Sequence, residues 1–106
     1  MFKSRDIEIN TTTLGSGKHS ISIDFTPVTE ILANNYFELH LNDSVVKLYI
    51  SSDMTISDFA ALVERNCNAD FDFYKKALAS SSSNILNIAT RDTDNMEIFL
   101  DYSKER

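Results

Sequence analysis

Apolar and polar residues alternate with period two on both flanks of three turn-forming stretches, and this pattern constrains the fold more than any other feature of the chain. Successive strand side chains point to opposite faces, so two alternating runs joined by a short turn describe a hairpin with one buried and one solvated face. In the first hairpin, Ile7 and Ile9 alternate with Asp6, Glu8 and Asn10, and a threonine run follows. Beyond Leu14-Gly15-Ser16-Gly17-Lys18, which holds both glycines, Ile21, Ile23 and Phe25 alternate with Ser20, Ser22 and Asp24. The strand should stop near Pro27, the only proline, which has no N–H for a ladder. In the second hairpin, Phe37, Leu39 and Leu41 alternate with Tyr36, Glu38 and His40; Asn42-Asp43-Ser44 is the turn; Val46, Leu48 and Ile50 alternate with Val45, Lys47 and Tyr49. The third joins Ile85, Leu86 and Ile88, through a turn at Arg91–Asn95, to Met96, Ile98, Leu100 and Tyr102, which alternate with Glu97, Phe99 and Asp101.

Between the second and third hairpins the period changes. Ile56, Phe59, Ala60, Val63 and Cys67 recur at i, i+3, i+4 and i+7 spacing, widened by Leu62, which predicts an amphipathic helix. Thr55 is its expected N-cap, with Asp58 three residues on. Asp70 can cap a second segment running to about Ala79, with Asp70 and Asp72 first and Lys75-Lys76 last, as the helix dipole prefers. One kinked helix over 55–79 is the other reading. Residues 26–35 admit a short helix, capped by Thr26 with Val28, Ile31 and Leu32 buried, or a strand. The four serines at 80–83 read as a loop. The expected fold is therefore antiparallel α+β, in the order β-β-(α)-β-β-α-α-β-β. About six strands, as three hairpins, would carry one or two helices on one face of the sheet.

At 106 residues with 42% hydrophobic content, the chain forms one domain with a core of its own, residues 1–106. Cys67 is the only cysteine, so no intramolecular disulfide forms, in keeping with a reducing compartment. The start, Met1-Phe2-Lys3-Ser4-Arg5-Asp6, has no apolar stretch behind it, and no apolar run approaches the roughly 20 residues of a membrane helix. A cytoplasmic protein is expected, with no membrane association.

The charge is unevenly placed. Residues 19–64 hold seven carboxylates (Asp24, Glu30, Glu38, Asp43, Asp53, Asp58, Glu64) against one base, Lys47, and so carry the whole net charge of −6. Direct nucleic-acid binding, which needs Lys and Arg on phosphates, is not expected. A basic protein partner is. If the apolar stripes face the helices, the opposite sheet face shows Glu8, Asp24, Glu38, His40, Lys47, Glu97 and Asp101 together with Tyr36, Tyr49 and Phe99. Aromatics supply contact area and carboxylates orient a cationic partner. The partner-binding residues expected on these grounds are Asp24, Tyr36, Glu38, Asp43, Tyr49, Asp53, Glu97, Phe99 and Asp101. The plainer reading of the same face is a solvated surface with cross-strand aromatic pairs.

Signs of catalysis are weak. His19 and His40, the only histidines, have no His or Cys neighbour at metal-ligand spacing and read as surface or rim residues. Cys67 lies on the apolar stripe of its helix, as a structural cysteine would. Asp92-x-Asp94-x-x-Glu97 lacks the glycine and distal glutamate of a calcium loop. Asp70 and Asp72 read as helix-start acids rather than an acid–base pair, and Gly15-Ser16-Gly17-Lys18 lacks the spacing of a phosphate loop. No catalytic, cofactor or metal site is expected, and the chain reads as a non-enzyme.

Two likenesses of pattern remain. The run from Tyr36 to Cys67, hairpin then capped helix, resembles the opening of a β-grasp, ubiquitin-like fold over about a third of the chain; the end, Tyr102-Ser103-Lys104-Glu105-Arg106, has no diglycine tail. In size, acidity and lack of a catalytic motif the chain is similar to bacterial immunity proteins, which neutralise toxins such as basic nucleases by covering their active sites. That likeness implies a non-enzymatic inhibitor. The alternatives are a phage- or plasmid-encoded nucleic-acid mimic of anti-restriction or anti-CRISPR type, a structural or chaperone module with an uncapped edge strand, and an enzyme whose polar residues meet only in space.

Overall fold

The computed structural model describes residues 2–3, 6–15, 18–28, 30–91 and 97–104. The described fold is antiparallel α+β, with two helices and eight strands: β1 (Phe2–Lys3), β2 (Glu8–Gly15), β3 (Lys18–Asp24), β4 (Asn35–Leu41), β5 (Ser44–Ile50), α1 (Ile56–Ala69), α2 (Phe71–Lys76), β6 (Ala77–Ser82), β7 (Ile85–Thr90) and β8 (Ile98–Lys104). The strands divide into two four-stranded sheets, ordered β1-β8-β4-β5 and β2-β3-β7-β6, rather than one sheet of about six. Both sheets and α1 contribute to one core, centred on Phe25, Phe37, Phe59 and Phe73, all fully buried.

The first two hairpins form where the alternation places them. Glu8↔Asp24 to Thr13↔His19 is a regular ladder, with a bulge before Gly15, whose φ of +86° only glycine adopts freely. Gly17 lies outside the described residues. In the second hairpin Asn42 takes the left-handed turn conformation (φ 54°) that asparagine tolerates. Its odd-numbered β4 residues and even-numbered β5 residues are buried.

The third hairpin differs. β7 pairs with β6, so the serine run forms a strand and not a loop: Ala77 and Ala79 turn inward, Leu78, Ser80 and Ser82 outward, and Ser83 (φ 53°) opens the turn. β8 leaves this sheet and inserts between β1 and β4. The stretch at Arg91–Asn95 thus connects the two sheets; residues 92–96, including the Asp92/Asp94 motif, lie outside the described residues. Alternation sets which face of a strand is buried but says nothing of its neighbour, and Leu100 and Tyr102 find apolar mates in Leu39 and Phe37.

The helices follow the local signals. Thr55 accepts the N–H of Asp58 at 3.1 Å. Two helices form rather than one: Asp70 adopts extended backbone, closes α1 through Asn66 and Cys67 carbonyls, and caps α2 by accepting the N–H of Phe73 at 3.0 Å. α2 ends at Lys76, three residues before the expected end, because Ala77 joins β6. The described residues from Thr26 to Asn34 form neither a helix nor a strand of either sheet, Thr29 lies outside the described residues, and Asn35 opens β4. Thr26-Pro27 is a turn and Ile31 makes a single bridge to Met54. Side chains take up several backbone groups of this stretch: Leu32 N–H donates to distant Tyr102 Oη (2.9 Å) and Ala33 N–H to distant Asp53 Oδ1 (2.7 Å), while nearby Asn35 Nδ2 donates to Leu32 O (3.0 Å). Among the described residues, no helix is long and apolar enough to cross a membrane.

Candidate functional site

The outer face of the first sheet is a grid of three rows. Directly opposite residues of an antiparallel pair share a face, and the register puts β4 between β5 and β8. Tyr36 lies between Tyr49 and Ser103, Glu38 between Lys47 and Asp101, and His40 between Val45 and Phe99. Six of the nine residues expected to bind a partner therefore meet here or at its edge: Tyr36, Glu38, Tyr49, Phe99 and Asp101 in the grid, and Glu97 just before β8.

The rows are tied together through Glu38. Its Oε1 lies 2.9 Å from His40 Nε2 and its Oε2 3.8 Å from Lys47 Nζ. Lys47 also sits 5.2 Å from the centre of the Tyr36 ring, which packs at 5.2 Å on Tyr49. Tyr49 donates its hydroxyl to Asn34 Oδ1 at 2.6 Å, and the His40 and Phe99 rings meet edge-on at 5.5 Å. The aromatic groups are thus held in fixed positions while still offered to solvent: Tyr49 is 44% exposed and Phe99 43%, beside the equally exposed aliphatic Val45. Next to Phe99 an open depression of about 560 Å³ is lined by His40, Asn42, Glu97, Ile98 and Phe99. Asn42 shapes its rim by exchanging two hydrogen bonds with the Glu97 backbone, at 2.8 and 2.9 Å.

Glu38 and Asp101 stand directly opposite one another. Adjacent like charges repel, and Glu38 is already engaged by Lys47 and His40. Asp101 stands opposite Lys3 of β1 on its other side, and the Glu97 carboxylate has no hydrogen-bond or ion-pair partner among the described residues, so Glu97 is the acid this face offers to a cation.

The other three expected residues fall elsewhere. Asp24 lies in the second sheet, opposite Glu8, and hydrogen bonds from the Thr26 side chain first and the Thr26 N–H (2.9 Å) second hold its carboxyl below the usual range. Asp43 sits in the β4–β5 turn, where the Lys76 ammonium donates to it and lowers its pKa; Lys76 donates also to buried Ser44 at 2.7 Å. Asp53 holds the Ala33 N–H at the opposite end of the hairpin. The seven acids of residues 19–64 thus spread over β3, β4, α1, one turn and two loops, and form no single track. Val45 and Ser103 were missed as members of the face. The signal was present in the same alternation, since Val45 is an apolar residue on the polar phase of β5.

Cys67 is fully buried, and burial, aided by the nearby Asp70 charge, pushes its thiol up to about 12, so no thiolate nucleophile is available at neutral pH. A thiol-specific disulfide reagent at pH 8 should leave the native chain unlabelled and take up one equivalent once the chain is unfolded; fast labelling of native protein would contradict this burial. Asp70 and Asp72 begin α2. Among the described residues no cluster of three or more His, Cys, Asp or Glu side chains is placed to hold a metal. A second exposed aromatic pair, Phe71 and Tyr74 on α2, is overlaid by its own cations: Lys75 Nζ lies 5.1 Å from the Phe71 ring and Arg91 Cζ 5.0 Å from the Tyr74 ring.

Comparison of the chain with models of known protein families and with curated proteins found no match. The hairpin and helix that resemble a ubiquitin-like opening are both present, but α1 packs chiefly on β6 and β7 of the second sheet rather than on its own hairpin.

Proposed function

We propose that this chain is a non-enzymatic inhibitor of immunity type, which binds a basic toxin domain, such as a nuclease, in the cytoplasm and occludes its active site. The observation that carries the reading is the compact acid-and-aromatic face of the first sheet. Tyr36, Tyr49 and Phe99 are large, pre-positioned and partly exposed, so a partner gains their contact area without ordering them first. Glu97 and Asp101 each lie two residues from Phe99 along the chain, and among the described residues the Glu97 carboxylate has no ion-pair partner. A guanidinium or ammonium group of the partner can enter the depression, pair with Glu97 and stack on the Phe99 ring. The net charge of −6 speeds encounter with a basic surface, and salt weakens that steering. The scattered acids do not favour a nucleic-acid mimic, which needs carboxylates spaced like phosphates along one surface.

The test is capture of partners by the tagged chain from its native lysate at low salt and at roughly 0.5 M salt, followed by the same capture with face variants. One stoichiometric basic protein, lost at high salt, is the expected result. Tyr49→Ala and Phe99→Ala should each weaken its binding about 30-fold, as truncated hot-spot aromatics do. Asp101→Lys should slow association about tenfold at low salt. A partner bound equally well by all three variants would move the interface off this sheet.

A further inference from the structure

Sheet edges expose backbone N–H and C=O groups, and folded proteins block them with shortness, central charge, proline, bulges or a covering element. Of the four edges here, three are blocked. β1 is two residues long. β5 carries Lys47 at its centre and lies against α1 and α2. β6 is covered by α1, whose Asn68 carboxamide donates to Ala79 O and accepts from Ala79 N, both at 2.9 Å, filling the place of a neighbouring strand.

Among the described residues nothing covers β2, and its single bulge lies at the hairpin end. It is the longest strand at eight residues, and every residue from Asn10 to Gly15 is exposed. Its ladder with β3 is regular from Glu8 to Thr13. It holds no Lys, Arg or Pro, and Thr11-Thr12-Thr13 is a β-branched run suited to a strand.

We infer that β2 pairs antiparallel with β2 of a second copy of this chain, about a twofold axis at Thr11, joining two four-stranded sheets into one of eight strands. The occupant follows from the strand's own complementarity. A continuous sheet keeps each face together, so residues of the same phase must meet. Thr11 then faces Thr11 of the second copy, Asn10 faces Thr12, Ile9 faces Thr13 and Glu8 faces Leu14. Threonine and asparagine pairs hydrogen-bond across strands, and Thr13 covers the partly buried Ile9. The only charge, Glu8, sits about 20 Å from its mate at the strand rise of an antiparallel pair, beyond the ~8 Å screening length at physiological salt. The interface contains no ion pair, yet each copy carries −6. Salt must therefore strengthen this association, the reverse of its effect on capture of a basic partner. The candidate face lies on the other sheet and stays free in the dimer, so failure of one proposal leaves the other standing.

The experiment is sedimentation equilibrium of the full chain from about 10 µM to about 1 mM, at low salt and at roughly 0.5 M salt. The expected mass rises from 12.0 kDa towards twice that value with concentration, and at lower concentration in high salt. Thr11→Lys and Thr11→Glu each place like charges face to face and should weaken the dimer tenfold or more, by about the cost of like-charge contact. An equimolar mixture of the two variants should recover it as a heterodimer. Thr11 is exposed, and circular dichroism checks that both variants fold. A wild-type chain that stays monomeric throughout, a dimer indifferent to both substitutions, or a mixture that fails to recover would each overturn the inference.

Discussion

Phe59→Ala is expected to lower the unfolding free energy by about 3–5 kcal/mol, the range for truncating a buried aromatic side chain. Phe59 is fully buried on α1, yet its ring neighbours come from both sheets. It meets Phe37 of β4 at 5.0 Å, Phe25 one residue beyond β3 at 5.2 Å and Tyr102 of β8 at 6.4 Å, all edge-to-face. Such pairs add to simple burial because the positive edge of one ring meets the negative face of the other. Alanine leaves a void between the helix and both sheets. A domain of this size has about 5–15 kcal/mol in total, so the variant should lose about a fifth of its stability or more. Denaturant unfolding at 25 °C measures the change directly. A loss below about 1 kcal/mol would mean that the site collapses around the void and that Phe59 does not join the two sheets.

The second large effect is expected at Asn68. Its carboxamide satisfies both backbone groups of Ala79 on the β6 edge, so Asn68→Ala removes two hydrogen bonds and strips the edge of its cover. At roughly 1 kcal/mol per bond the loss should be about 2 kcal/mol. Asn68→Asp keeps the acceptor for the Ala79 N–H but loses the donor to its carbonyl, so about half the loss is expected. Hydrogen exchange reads the same contact locally: the Ala79 amide should exchange much faster in the alanine variant and remain slower in the aspartate variant. The alanine variant should also aggregate more readily, because a bared edge accepts strands from other molecules. Equal Ala79 exchange in all three proteins would show that water or backbone takes over the role of the side chain.

The candidate face was legible in part. Tyr36, Glu38, Tyr49, Phe99 and Asp101 share the outward phase of alternating strands, and phase is a local property of sequence. Their assembly needed the insertion of β8 beside β4, which brings Phe99 next to His40 and Asp101 next to Glu38 across about sixty residues. Asp43 and Asp53 read as acids available to a partner, but Lys76 and the Ala33 backbone claim them; those contacts join positions 33 and 20 residues apart. Asp24 has the right phase in the wrong sheet. No acidic residue in the sequence reveals whether a lysine will reach it.

The sequence by itself determined where strands and helices lie for most of the chain, and which side of each is buried. Period-two and period-3.6 patterns act within a few residues, and so do the Thr55 and Asp70 caps. Only the tertiary structure decided how the strands sort into two sheets, that Ser80–Ser82 join a strand, and that the described residues from Thr26 to Asn34 need no helix or sheet strand. These outcomes depend on partners distant in the chain: the apolar mates of Leu100 and Tyr102, the pairing of β6 with β7, and the side chains of Tyr102 and Asp53 that take up the Leu32 and Ala33 amides. Alternation makes every strand a fit neighbour for several others, and the shared core around Phe59 selects among them by how completely the apolar faces close upon one another.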